Sequence, residues 1–253
     1  MAALFAFVKY GLAFGKFGFT FISMLVALVA YSLLFGWAFA AGIVILIFIH
    51  EMGHVLVSRS LGVPMSAPVF IPFLGAFTQA GAGFQRSRAT EAVIAAAGPV
   101  FGFAATLAVY VWAVLQPQLT NAVAFAFALS YFGFFITLFN LIPAVPFDGG
   151  RVASAVSRWL NVVGLAVFGA ILLAMAAGVT QFNPFLLLFF LVSCYTVWNR
   201  FRMARLGREA PALPPRMRVA IGAGYIALVA LSGLFMSLAN GSIDTLVHGA
   251  TRI

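Results

Sequence analysis

Residues 37–57 read WAFAAGIVILIFIHEMGHVLV, the second half of an apolar run that begins at Phe17. His50, Glu51 and His54 are the only acidic, basic or imidazole side chains between Phe17 and Val57. A spanning helix needs ~20 mostly apolar residues, so the run is long enough for two, with a turn expected near Leu34–Trp37. An ionisable residue inside such a helix costs ~2.5–3.5 kcal/mol or more, which makes function its default reading. The composition agrees with a bilayer. Of 253 residues, 64% are hydrophobic and 8% charged, whereas soluble domains carry ~25% charged residues. A globule of this size could not cover its surface with so few charges. Disordered chains are polar and charged, so disorder is excluded too. The single cysteine, Cys194, excludes an intrachain disulfide and a Cys-based zinc site.

Working outward, further spans are expected at about 92–115, 121–140, 161–179, 183–199 and 218–239. The fold class is therefore an all-α polytopic membrane protein of about six to seven transmembrane helices. It reads as one membrane-embedded domain over 1–253, with a core at about 37–160 and C-terminal helices at about 161–253. The first fifteen residues read either as an interfacial helix or as a tail. No cleavable signal peptide is evident, because the first basic residue, Lys9, lies inside the apolar segment.

The net charge of +9 is carried in short segments between apolar runs. Arg59, Arg86 and Arg88 lie between spans two and three, Arg151 and Arg158 between four and five, and Arg200 to Arg218 between six and seven. The alternate connections carry no Lys or Arg. By the positive-inside rule, seven spans then give a cytoplasmic N-terminus and an outside C-terminus. The cations are topology anchors in contact with the lipid bilayer, and no nucleic-acid partner is expected.

Residues 62–90 break the pattern. Pro64, Pro68, Pro72 and four glycines before Phe84 exclude a continuous helix. The stretch Val69 to Gln79 reads as two short apolar strands around Phe73–Gly75. It either dips into the membrane as a β-hairpin-like segment, with its backbone bonded or buried, or lies on the bilayer surface as a connecting loop.

His50-Glu-Met-Gly-His54 places two imidazoles four residues apart, about 400° of helical rotation, so they share one face a turn apart and can reach one metal ion. Glu51, beside the first of them, is placed to take a proton from a metal-bound water. Chance produces this pattern in such a composition about 7 times in 10,000, and the membrane setting makes a packing explanation weaker still. Catalytic zinc usually takes three protein ligands. The best third ligand among five carboxylates is Asp148, in Asn140-Leu-Ile-Pro-Ala-Val-Pro-Phe-Asp148-Gly-Gly-Arg151 just after the fourth span. Two prolines forbid regular helix there, and the paired glycines permit a tight path that aims the carboxylate. Both motifs fall near the same, cytoplasmic, ends of their spans. One Zn²⁺, one aspartate and one hydroxide sum to zero charge, which limits the cost of burial.

Taken together, His50-Glu-Met-Gly-His54 in a membrane helix, Asn140-x-x-Pro143 and Asp148-Gly-Gly resemble the site-2 protease family of intramembrane zinc metalloproteases. Ala97-Gly98-Pro99 is similar to that family's small-residue Gly-Pro segment. The resemblance implies one zinc per chain on His50, His54 and Asp148, Glu51 as general base, and Asn140 at the substrate or developing oxyanion. It also implies that residues 69–79 pair with an unwound substrate strand, which puts Phe70, Ile71 and Phe73 at the substrate. The implied substrate is a membrane protein with a transmembrane helix, often trimmed first by an upstream protease. The Arg-rich, Ala-rich composition is compatible with a bacterial inner membrane, and the positive-inside rule puts the active site towards the cytoplasm. The chain departs from the family in having Val100-Phe101-Gly102 where a polar residue often follows Gly-Pro, so one supporting partner of the ligands is unassigned.

Other residues have blander readings. Asn140 also reads as a cap on span four, Gly98 as a close-packing residue, Glu91 as a helix-start charge, His248 as solvated, and the 29 phenylalanines as lipid-facing or core bulk. A membrane metal-ion transporter is the alternative function. It would require further ligand clusters along a path, and the sequence offers one.

Overall fold

A computed structural model of the protein describes residues 2–72, 75–77, 87–178, 184–207 and 211–250, with the backbone alone at 2–17, 184–185 and 246–250. The elements run α1 Ala2–Phe35, α2 Trp37–Ser60, β1 Val69–Ile71, β2 Gly75–Phe77, α3 Arg88–Val114, α4 Asn121–Asn140, α5 Asp148–Val156, α6 Arg158–Ala176, α7 Pro184–Arg205 and α8 Pro215–Ala250. Among the described residues six helices are long and apolar enough to cross a membrane: Gly18–Phe35 of α1, then α2, α3, α4, α6 and Pro215–Thr245 of α8. The protein is thus a polytopic all-α membrane protein with one small sheet. α7 occupies the position of the predicted sixth span but is not among the six. Asn199, Arg200, Arg202 and Arg205 in its last turns shorten its apolar stretch.

The helix ends follow local chemistry. Gly36, at φ 76°, makes the predicted turn between α1 and α2, a left-handed conformation that side chains other than glycine's adopt rarely. Ser87 caps α3, its Oγ accepting from the Thr90 N–H at 3.1 Å. This draws the helix start to Arg88, four residues before the expected one. Thr120 caps α4 by accepting from Val123 N, and α4 occupies the predicted 121–140. Residues 2–17 continue α1 as helix.

β1 and β2 pair antiparallel, with Phe70 opposite Ala76 and Ile71 opposite Gly75. These are the two expected strands. The Phe70 side chain is buried with Ala27 and Tyr31 of α1, Ile43, Leu46 and Ile47 of α2, and Leu129 of α4, and its N–H donates to Ser23 Oγ of α1 at 3.1 Å. The hairpin is therefore packed among helices of membrane length rather than lying as a detached surface loop.

α3 lies in the middle of the bundle and packs on α2, α4, α5 and α8. The crossings are made by small residues, as is usual between membrane helices. A Cβ on Gly53 of α2 would lie 2.6 Å from Ala97 O and 2.9 Å from Phe101 Cβ of α3, and one on Gly133 of α4 would strike Thr106 Oγ1 at 2.5 Å.

Candidate metal centre

α2 carries His50, Glu51 and His54 into the α2–α3 contact, where all three are buried. α5 brings Asp148 to them from the far side. This helix was not expected from the sequence. The nine residues Asp148–Val156 begin at the carboxylate itself, and the two glycines are part of the helix. Their role differs from the expected one. A Cβ on Gly149 would clash with the carbonyl of Leu141, and one on Gly150 with the backbone of Ala144 and Val145. The glycines let α5 seat directly on the backbone of the preceding loop, where close approach and not conformational latitude requires them.

That loop is held from three sides. Ser193 of α7 donates to Val145 O at 2.5 Å, Tyr225 of α8 donates to Leu141 O, and a Cβ on Gly164 of α6 would clash with Pro143 O. Phe147 stacks edge-on against Phe139 with centroids 4.8 Å apart and is buried with Ala144 and Phe168. The Val145–Pro146 peptide is cis. Within α5, Ser154 Oγ donates to Gly150 O and accepts from Asn161 Nδ2 of α6 at 2.7 Å.

The result is a compact donor set. His50 Nε2 and His54 Nε2 each lie 3.1 Å from Asp148 Oδ2, and one ligand atom from each residue lies within 4.8 Å of the others. His54 Nδ1 is 2.7 Å from the Ile94 carbonyl of α3, and since a carbonyl only accepts, the imidazole donates there. In a neutral imidazole this leaves Nε2 as an acceptor. An acceptor nitrogen facing a carboxylate oxygen at this distance is repulsive unless a proton or a metal cation sits between them. Zn–N distances of ~2.0–2.1 Å in a tetrahedron put ligand atoms about 3.3 Å apart, close to the spacing seen. Gly98 of α3 packs directly beside both Nε2 atoms, leaving their faces free of any side chain there. A Cβ there would run into His54 Nε2 and lie 2.7 Å from His50 Nε2. The residues present therefore fit a zinc ion.

His50 differs from His54 in one respect. Its Nδ1 is buried without a hydrogen-bond partner, and the nearest place for one is taken by Gly102, whose Cβ would lie 3.2 Å away. This is the unassigned partner anticipated from Val100-Phe101-Gly102. Asn140, the last residue of α4, donates through Nδ2 to Ile136 O at 3.0 Å, the capping role also read for it. Ile71 is 39% exposed and Phe70 4%, while Phe73 lies outside the described residues. His248 lies in α8, where the backbone alone is described.

Sequence reasoning missed the polar surround of Asp148. Arg151 Nη1 is 3.7 Å from Asp148 Oδ1, and Arg151 Nε is 3.7 Å from Glu91 Oε1 at the start of α3. Glu91 in turn lies 4.0 Å from Arg200 Nη2 of α7. Glu91 is thus an ion-pair partner and not merely a helix-start charge, and Gly98 borders the donor set as well as permitting packing. The Asp148–Arg151 spacing of one helical turn was the available signal, hidden while α5 was read as irregular.

Residues 38–119 match the family model of peptidase family M50. A zinc metalloprotease of Methanocaldococcus jannaschii is 29% identical over 141 residues, which is 54% of this chain and 40% of the relative, so the chain spans about two-fifths of the length of that curated relative. Among solved structures, the site-2 protease from Methanocaldococcus jannaschii is similar at 22% identity and a TM-score of 0.43, over 77% of this chain and 90% of that one.

Proposed function

We propose that this chain is a member of the site-2 protease family, a reading supported by the match of residues 38–119 to peptidase family M50 and by the similarity to a zinc metalloprotease, and that it is an intramembrane zinc metalloprotease that hydrolyses a peptide bond in or near a transmembrane segment of a membrane-tethered substrate. The observation that supports this best is the convergence of His50 Nε2 and His54 Nε2 on one oxygen, each 3.1 Å from Asp148 Oδ2, beside Gly98 of α3 and inside a bundle of membrane-length helices. His50, His54 and Asp148 would hold one zinc ion per chain. Bound there, zinc supplies Lewis acidity for the scissile carbonyl and for a water molecule. Glu51, buried one residue along α2 from His50, takes the proton of that water and returns it to the leaving amine. Asn140 polarises the carbonyl or contacts the substrate, for which its Nδ2 must leave Ile136 O.

A helical substrate hides its carbonyls in its own hydrogen bonds, so it unwinds first. Strand addition at residues 69–77 offsets the lost bonds, with Ile71 as the exposed contact and Phe70 anchoring the hairpin in the bundle. Phe73 is the third residue assigned to the substrate on the family resemblance. The centre faces the cytoplasm of a bacterial inner membrane, in keeping with Arg59, Arg88, Arg151 and Arg200 at the corresponding helix ends, and an upstream protease trims the substrate beforehand. A metal transporter would need further ligand clusters, and the described residues contain one.

The test is Glu51→Gln. It is expected to keep zinc, measured by elemental analysis, and to lose cleavage of membrane proteins that accumulate with the variant and disappear with the wild type. Full cleavage by Glu51→Gln would refute the base assignment, and metal uptake into vesicles by that variant would support transport instead.

A further inference from the structure

We infer that Arg151 is the positioning residue of the metal-binding carboxylate, holding Asp148 Oδ1 away from the ion while Glu91 orients the guanidinium. The inference rests on the metalloprotease reading above. Asp148 divides its oxygens: Oδ2 faces both imidazoles at 3.1 Å, and Oδ1 faces Arg151 Nη1 at 3.7 Å. Two nitrogens of one guanidinium face carboxylates at ion-pair distance, since Arg151 Nε lies 3.7 Å from Glu91 Oε1. A planar fork can address two carboxylates in fixed directions, whereas a lysine ammonium is a single point of charge on a flexible stem.

The location also separates this arrangement from an ordinary surface pair, which contributes little. Side-chain exposure falls from 39% at Glu91 to 24% at Arg151 and 11% at Asp148, so the guanidinium bridges the more exposed side and the buried centre. Arg200 of α7 lies on the same Glu91 oxygen, and Glu91 sits in the first turn of α3, where the helix dipole favours a carboxylate. Neither oxygen of Asp148 is thereby left to choose its partner. A carboxylate held in this way binds a metal through one oxygen. Released, it is free to chelate through both and to take the coordination position that a catalytic zinc keeps open.

The experiment uses the full chain in detergent, loaded with zinc or with cobalt(II), as wild type, Arg151→Ala, Arg151→Lys and Glu91→Gln. Arg151→Ala is expected to lose zinc to a chelator about 10–100-fold faster, the range for partners that support metal ligands. Its cobalt(II) visible bands are expected to weaken as coordination rises above four. Glu91→Gln is expected to shift both readouts in the same direction by a smaller factor. Arg151→Lys keeps the charge and is expected not to restore the wild-type cobalt spectrum. Wild-type zinc loss together with a wild-type cobalt spectrum in Arg151→Ala overturns the inference. So does a lysine variant equal to wild type in both readouts. Should Arg151→Ala not fold, Glu91→Gln and Arg151→Lys decide, and wild-type behaviour of both overturns it. A wild type that holds neither metal sinks the metalloprotease reading itself, a result distinct from metal-holding variants that match the wild type.

Discussion

A methyl group at position 98 would fall against the Nε2 atoms of both His50 and His54, 2.7 Å from the former. Gly98→Ala is therefore expected to fold with wild-type helix content by circular dichroism and to purify with well under one equivalent of zinc by elemental analysis. Asp148→Ala is expected to lose zinc for the complementary reason, since a three-ligand site reduced to two histidines holds the ion poorly. Unchanged stoichiometry in Asp148→Ala would move the third ligand elsewhere. These residues were unequally legible in the sequence. His50, Glu51 and His54 stood out because a charge in hydrocarbon is costly, and Asp148 because so few carboxylates competed with it. Gly98 looked like any small residue in a spanning helix, since what it contributes is empty space. Only the positions of the imidazoles reveal that. Glu91 and Arg151 are 60 positions apart by their numbers, and no local pattern joins them.

Elements repeat this division. α4 and the hairpin strands were readable from hydrophobic length and the proline-glycine punctuation. α5 was not, because nine residues opening Asp-Gly-Gly carry two of the poorest helix formers. Its stability comes from its neighbours. Asn161 of α6 bonds Ser154, which bonds Gly150 O, in a buried chain whose members are 7 and 4 residues apart. Asn161→Ala leaves that chain one donor short, and a loss of about 1–3 kcal/mol is expected. It should appear as a lower thermal midpoint in detergent and, because α5 carries Asp148, as faster zinc loss. Tyr225→Phe removes the tether from α8 to Leu141 O and is expected to cost about 0.5–1.5 kcal/mol. An unchanged midpoint in both variants would show that the loop and α5 hold their places without α6 and α8.

For the molecule as a whole, zinc bound at the proposed site between α2 and α5 would tie together segments that otherwise meet mainly through α3. A ligand that binds only the folded state stabilises it by mass action. Chelation is expected to lower the thermal midpoint of the wild type, and added zinc to restore it, whereas Asp148→Ala should respond to neither. Equal response of the two proteins would place the stabilising ion elsewhere. The spread of the ligands along the chain has a last consequence. Asp148 follows His50 by 98 residues and His54 by 94. A ribosome inserting this protein from its N-terminus therefore delivers both imidazoles to the bilayer long before it has synthesised the carboxylate. At the proposed metal centre, capture of an ion by the full donor set falls late in biogenesis, and a nascent protein arrested before Asp148 is made lacks the third ligand.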